Sequence, residues 1–227
     1  EMDGLKSSLS MALRNISFVL LPSAIGLIML REPIIRLLFE FSGKFTPEMT
    51  MVTADALLYY CLGLIPYGAV MALCRGFFAI QNTLTPVLVS VLAIGVNVVL
   101  SIVLVDPLGH RGLALAYSLA NFAQAGLLLV FLRKKIGAMD LRHILTSLGK
   151  TAIASALMAL MVWLTALGAE ALLGVGSKLG QLFQVGAAIL AGVAAFFVAA
   201  SLLKMEELSA ITGIIGRRLH RRKARHS

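Results

Sequence analysis

Arg75 stands well inside a long apolar run of this 227-residue sequence, where a charged side chain is costly. Its guanidinium has two plausible roles. In a hydrated cavity it attracts an anionic group, and near a membrane surface it extends to the lipid headgroups. The end of the run at Gln81–Asn82 is about 10 Å away along a helix, so both interpretations stay open.

Amide side chains lie inside the next two apolar runs. Asn97 has Ser101 one helical turn later, and Gln124 has Asn121 one turn and Tyr117 two turns earlier. A buried amide either bridges two helices or faces a cavity and binds a polar ligand. Because the two runs are consecutive, the amides of Asn97 and Gln124 can also meet each other. The predicted substrate-cavity residues are Arg75, Asn97, Gln124 and Asn121.

The residue patterns of a hydrolase, a metalloenzyme or a nucleotide-binding enzyme are missing. No paired carboxylates lie within an apolar run, no HExxH occurs, and no glycine-rich loop precedes a lysine. The histidines are not spaced for a metal, and Cys61 and Cys74 are 13 residues apart, about 20 Å along one helix. We therefore predict no catalytic residue, no cofactor and no enzymatic activity.

The composition is that of an integral membrane protein. Hydrophobic residues make up 59% and charged residues 14%, against about 45–50% and 25% in soluble domains. Six apolar runs, nearly all of 20 residues or more, are long enough to cross a bilayer as helices. We predict an all-α polytopic bundle of about six transmembrane helices. The runs are Asn15–Leu30, Asp55–Ile80, Pro86–Val105, Leu113–Leu132, Leu148–Leu167 and Leu182–Leu203.

Prolines and small residues predict how the helices bend and pack. Pro22 and Pro66 each remove a backbone hydrogen bond, so a kink is expected at each. Between the first two runs, Pro33–Phe41 is too short to cross and fits either an interfacial helix or an ordinary loop. Small residues four apart in the last two runs predict close helix contact. These pairs are Ala152/Ala156, Ala188/Gly192 and Ala191/Ala195.

Basic residues predict the orientation, because cytoplasmic loops collect Lys and Arg. Fifteen of the 20 fall on the side that holds both termini, which we therefore place in the cytoplasm. The basic tail Arg217–Arg225 enforces this topology or binds anionic lipid; a nucleic-acid partner is not expected.

A change in composition after residue 135 divides the chain into residues 1–135, lining a cavity, residues 136–203, a two-helix unit, and the tail 204–227.

Several motifs resemble the MurJ (MviN) family of the multidrug/oligosaccharidyl-lipid/polysaccharide exporter superfamily. They are LLPSAIGLIMLREPIIRLLFE with GKFT, then GLIPYGAVMALCRGFFAIQNTLTPV, and finally GHRGLALAYSLA with LRKK. The order and spacing match over roughly residues 10–135. The resemblance implies the last six of fourteen helices, so an N-terminal lobe is expected upstream of Glu1.

The resemblance also implies a function and a location, namely flipping of the peptidoglycan precursor lipid II by alternating access across the bacterial cytoplasmic (inner) membrane. A cationic cavity would hold the diphosphate-sugar headgroup, and a groove at the last two helices would hold the polyprenyl tail. A coupling-cation site in some members corresponds to Asn97, Ser101 and Tyr117. Because this sequence has no carboxylate there, a metal at these residues is doubtful.

The expected partners are lipid II, membrane lipids and the N-terminal lobe. Three alternatives stay open: a flippase for another lipid-linked oligosaccharide, a lipid-processing membrane enzyme, and a membrane scaffold that transports nothing. A polar stripe facing one cavity would favour transport.

Overall fold

The computed structural model describes residues 2–40, 45–137, 140–173 and 178–208, and within these ranges all regular structure is helical. The predicted tail Arg217–Arg225 lies outside them. The eight helices of the described chain are α1 (Met2–Met29), α2 (Arg31–Phe39), α3 (Pro47–Leu62), α4 (Leu64–Ala79), α5 (Leu84–Leu108), α6 (His110–Ile136), α7 (Leu141–Leu173) and α8 (Lys178–Leu202).

The prediction of an all-α fold with six membrane-crossing segments is confirmed. Six segments of the described chain are long and apolar enough to cross, with α3 and α4 together forming one of them. The first begins well before Asn15, because α1 starts at Met2. The short helix α2 lies between the first two segments, over most of the range 33–41, and packs against α3 and α8.

The second crossing is broken at Gly63, three residues before Pro66. Proline has no N–H for the carbonyl four residues earlier, and its ring crowds that carbonyl, so the disturbance falls on the preceding turn. The amide of Gly63 donates to Tyr60 O at 3.0 Å. The carbonyl of Tyr59 then accepts from Ser118 Oγ on α6 at 2.5 Å. A side chain at 63 would collide with Ser118, so glycine is required where the break touches α6. By contrast, α1 runs through Pro22 as one helix.

Helix α1 is central, because it packs against α3, α4 and α7. Its first half joins α4 and α6 in one apolar core, which contains Leu9, Leu73 and Leu132. Its second half joins α7 and α8 in another core, through Phe18 and Phe196, whose ring centroids lie 5.1 Å apart. Helix α5 packs mainly on α6, and most of its surface is exposed.

Of the three small-residue pairs predicted to pack α7 against α8, only Ala188/Gly192 is buried, and Ala191/Ala195 on the same helix is half-buried. Ala188 and Gly192 of α8 are buried, and a Cβ on Gly192 would lie 2.5 Å from Val162 Cγ2. On α7, however, Ala152 and Ala156 are exposed. The buried face of α7 is carried instead by Thr151, Ser155, Met158 and Val162.

Candidate functional site

The α5–α6 hairpin holds most of the predicted polar residues in place. Only Gly109 separates the two helices, and its φ of +58° is disfavoured for other residues. Just beyond it, a Cβ on Gly112 would lie 2.1 Å from the carbonyl oxygen of Leu104. The helices therefore cross with their backbones nearly in contact, which fixes α6 against α5 at this end.

Further along the hairpin, α5 and α6 border an open cavity of about 270 Å³ with polar side chains in its lining, called the polar cavity below. Asn97, Tyr117, Asn121 and Gln124 all line it, together with Ser90 and four apolar residues. Sequence reasoning missed Ser90, although its position seven residues before Asn97 places both on one helical face. Three of the four predicted substrate-cavity residues are thus brought together.

Hydrogen bonds within the cavity leave several amide groups available. Gln124 Nε2 donates to Ser90 Oγ at 3.0 Å, and Asn121 Nδ2 donates to Tyr117 O at 2.9 Å. Asn97 Oδ1 accepts from Ser101 Oγ at 3.1 Å, so Asn97 and Gln124 do not pair with each other. Among the residues that the structure describes, no partner is found for Asn97 Nδ2 or Gln124 Oε1. The cavity can therefore both donate to and accept from a polar ligand.

The lining of this cavity carries no formal charge. Ser101, part of the implied cation site, bonds Asn97 but does not line the cavity. The described chain contains no group of three or more His, Cys, Asp or Glu residues suited to a metal. At Asn97 and Tyr117 a cation would meet neutral oxygens only, which hold cations less strongly than carboxylates.

Arg75 lies apart from the polar cavity, on the exposed face of α4. Tyr67, Met71 and Phe78 are exposed on the same face, at helical spacing. Within the described chain, its guanidinium makes no hydrogen bond or ion pair. A polar stripe of Arg75, Asn97 and Gln124 facing one cavity, which would favour transport, is therefore not formed. The structure has two separate features instead, a cation on α4 and amides between α5 and α6.

An apolar groove of about 600 Å³ runs between α1, α7 and α8, and reaches the start of α2. Its walls include Phe18 and Gly26 of α1, Met158 of α7 and Val193 of α8. Pro22, predicted as a kink, also lines it. The resemblance implied a groove at the last two helices, and the structure adds α1 as a third wall.

A charged cluster joins α1 to the segment that follows α8. Arg14 Nη1 lies 3.0 Å from Glu206 Oε2 and 3.5 Å from Glu207 Oε1, and it also contacts His143. The pKa of Glu206 is lowered, first by its hydrogen bond with Arg14 and then by the charge of Arg14. Charge counting from the sequence places Arg14 only among the fifteen basic residues on the cytoplasmic side, because no local pattern connects positions so far apart.

Comparisons with known proteins agree on one family. The family profile described as lipid II flippase MurJ matches residues 1–184. A probable lipid II flippase MurJ of Rhizobium tropici is 31% identical over 223 residues, covering 96% of this chain and 41% of that protein. One from Rhizobium meliloti (strain 1021) is 39% identical over 144 residues, covering 63% of this chain and 26% of that protein.

A solved structure is similar as well. It is described as lipid II flippase MurJ in an inward closed conformation, and it aligns with a TM-score of 0.71 and 28% identity. The alignment covers 89% of this chain and 40% of that one. The chain thus spans about two fifths or less of the length of these similar proteins.

Proposed function

The chain belongs to the lipid II flippase MurJ family, and from this premise we propose that it forms the C-terminal part of a transporter for lipid II. The substrate would be the undecaprenyl-diphosphate-linked peptidoglycan precursor, moved across the bacterial inner membrane. The observation that carries the proposal is the pair of separate compartments in one helical body, a neutral polar cavity and a long apolar groove.

The two compartments suit the two halves of such a lipid. A polar headgroup crossing hydrocarbon without hydrogen bonds costs several kcal/mol per group, so it needs a hydrated, polar route. The apolar tail is stabilised by about 0.8 kcal/mol per buried CH₂. We assign the tail to the groove of α1, α7 and α8, and uncharged headgroup contacts to Asn97, Asn121 and Gln124. Arg75, on the exposed face of α4, would attract the diphosphate.

Transport by alternating access needs a second body to rock against this one. Helix α5 exposes most of its surface, which supports an N-terminal lobe of the same protein as the neighbour. We place both ends of the chain in the cytoplasm, because the last turn of α6 carries Arg133, Lys134 and Lys135.

The groove assignment is tested by Val193→Trp in the full-length protein. Val193 lines the groove, so the indole would displace part of the tail. Loss of two buried CH₂ groups corresponds to about a tenfold drop in transport. The measurement is rescue of peptidoglycan synthesis in cells depleted of their own flippase, at matched protein levels.

Leu190→Trp is the matched control for the groove variant. Leu190 is on the same helix but is exposed outside the groove, so this variant should rescue like wild type. Full rescue by Val193→Trp, or equal failure of both variants, would contradict the assignment of the tail to the groove.

The cavity assignment is tested by Gln124→Leu. This change keeps the side-chain volume but removes both the bond to Ser90 and the free amide oxygen. We expect a three- to tenfold drop in flipping of a labelled lipid II in proteoliposomes, from the loss of about one hydrogen bond. Phe122→Leu, an exposed position on α6, should leave the rate unchanged. An unchanged rate for Gln124→Leu would show that this amide does not contact the headgroup.

A further inference from the structure

A second polar pocket, of about 90 Å³, lies where the first half of α1 meets the start of α7 and the end of α8. Its charged or titratable lining residues are Arg14, His143, Lys150, Lys204, Glu206 and Glu207. With three cations against two carboxylates, and His143 counted as neutral, the pocket has a net charge of +1. The proposed transport mechanism uses none of these groups.

The two carboxylates are already satisfied by residues of the protein. Arg14 contacts both, and Glu207, which is only 4% exposed, also accepts from Ser147 Oγ at 2.7 Å. Lys150 and Lys204 face the same pocket, and neither side chain has a hydrogen bond or ion pair to the described residues, although the charge of Lys150 also helps to lower the pKa of Glu206. Their ammonium groups are therefore available to an anion.

The backbone at Lys204 points to a role for this side chain. Lys204 has a φ of +48°, in the left-handed region where glycine is favoured. Its N–H donates to Ser201 O at 3.0 Å and that of Met205 to Ala200 O at 3.1 Å, which is a Schellman cap of α8. Glycine is the usual residue at this position. A strained lysine is a reason to look for a function of its side chain.

The pocket continues into apolar surface that suits lipid chains. Met205 lines the pocket and packs in the same apolar cluster as Phe18 and Met158, which line the groove. Arg14 precedes Phe18 by one helical turn, about 6 Å along the axis. A ligand with an anionic head and apolar chains would therefore span both surfaces. The pocket has room for about three water molecules, which suits one phosphate group rather than a large headgroup.

We propose that Lys150 and Lys204, next to Arg14, bind the phosphate of an anionic glycerophospholipid whose acyl chains lie along Phe18 and Met158. The phosphate pocket is not used by the proposed transport step, but Phe18 and Met158 also line the groove assigned to the polyprenyl tail, so the phospholipid and the tail would share that groove. Charge complementarity selects an anionic lipid over a zwitterionic one. The pocket has a net positive charge, so it disfavours the cationic group that a zwitterionic headgroup carries beside its phosphate.

The test uses Lys204→Gly in the full-length protein. Thermal unfolding in mild detergent is followed while phosphatidylglycerol, phosphatidylcholine, polyprenyl diphosphate or inorganic phosphate is added. For wild type we expect phosphatidylglycerol to raise Tm, polyprenyl diphosphate to raise it through the groove assigned to the tail, and phosphatidylcholine and inorganic phosphate to leave it unchanged. Lys204→Gly should unfold about 1–2 °C higher without lipid, because the backbone strain is removed. Its apparent affinity for phosphatidylglycerol should be about fivefold weaker.

Two further variants keep the test decisive. Lys150→Gln leaves the helix cap intact and should weaken phosphatidylglycerol binding by a similar factor. Lys134→Gln, an exposed lysine outside the pocket, should bind like wild type. Unchanged affinity in both pocket variants would overturn the proposal, as would an equal rise in Tm with inorganic phosphate or phosphatidylcholine. Loss of lipid II flipping with phosphatidylglycerol binding intact would instead concern the proposed function alone.

Discussion

Arg14→Met is expected to lower the free energy of unfolding by about 3–5 kcal/mol, the largest effect of any single substitution proposed for this chain. The side chain of Arg14 is 13% exposed and that of its partner Glu207 is 4% exposed. Methionine fills a similar volume but leaves a buried carboxylate with only the hydroxyl of Ser147 as a partner. The cost is the desolvation of that charge, since neither Lys150 nor Lys204, which line the same pocket, forms an ion pair with Glu207. Chemical unfolding in detergent, followed by circular dichroism, measures it.

The rescue variant separates the stranded charge from other effects. Adding Glu207→Gln to Arg14→Met removes the charge and keeps the group that bonds Ser147, so we expect most of the stability to return. Arg142→Met, an exposed position at the same end of α7, is the control and should stay within about 0.5 kcal/mol of wild type. A loss below 1 kcal/mol for Arg14→Met, or no recovery in the double variant, would rule out the buried ion pair as the cause.

Gly112→Ala is expected to lower the free energy of unfolding by about 1–3 kcal/mol, because the added methyl group has no space. Its Cβ would lie 2.1 Å from the oxygen and 2.6 Å from the carbon of the Leu104 carbonyl. Backbone atoms of a helix cannot rotate aside as a side chain does, so α5 and α6 must separate. Since Tyr117 and Asn97 face each other across the same hairpin, flipping of labelled lipid II should fall as well.

Gly126→Ala is the matched control on the same helix. Nothing lies within 4 Å of a Cβ at Gly126, and alanine is the better helix former by about 1 kcal/mol. This variant should therefore be as stable as wild type or slightly more stable in the same unfolding measurement. If Gly112→Ala behaved like Gly126→Ala, the close approach of α5 and α6 at Leu104 would be refuted.

Much of the fold followed from the sequence because a membrane imposes local rules. Each crossing helix must satisfy its own backbone and be apolar for about 20 residues, so the six crossings could be counted directly. Pro66 indicated a disturbance in the second crossing for the same local reason, and the break lies one turn earlier, at Gly63. The spacing of Asn121 and Gln124 on α6 also predicted that both side chains lie on one helical face, and in the structure both line the same cavity.

What only the tertiary structure decided depends on contacts between distant positions. The pairing of Arg14 with Glu206 and Glu207 joins residues 192 and 193 positions apart, and charge counting had assigned Arg14 to topology alone. Gln124 forms a hydrogen bond with Ser90 and not with Asn97, and Arg75 does not line the cavity that these three residues share. Both facts depend on how each helix is rotated about its axis, which packing against its neighbours decides. An apolar sequence determines which segments enter the membrane, whereas side-chain packing between helices determines which faces meet.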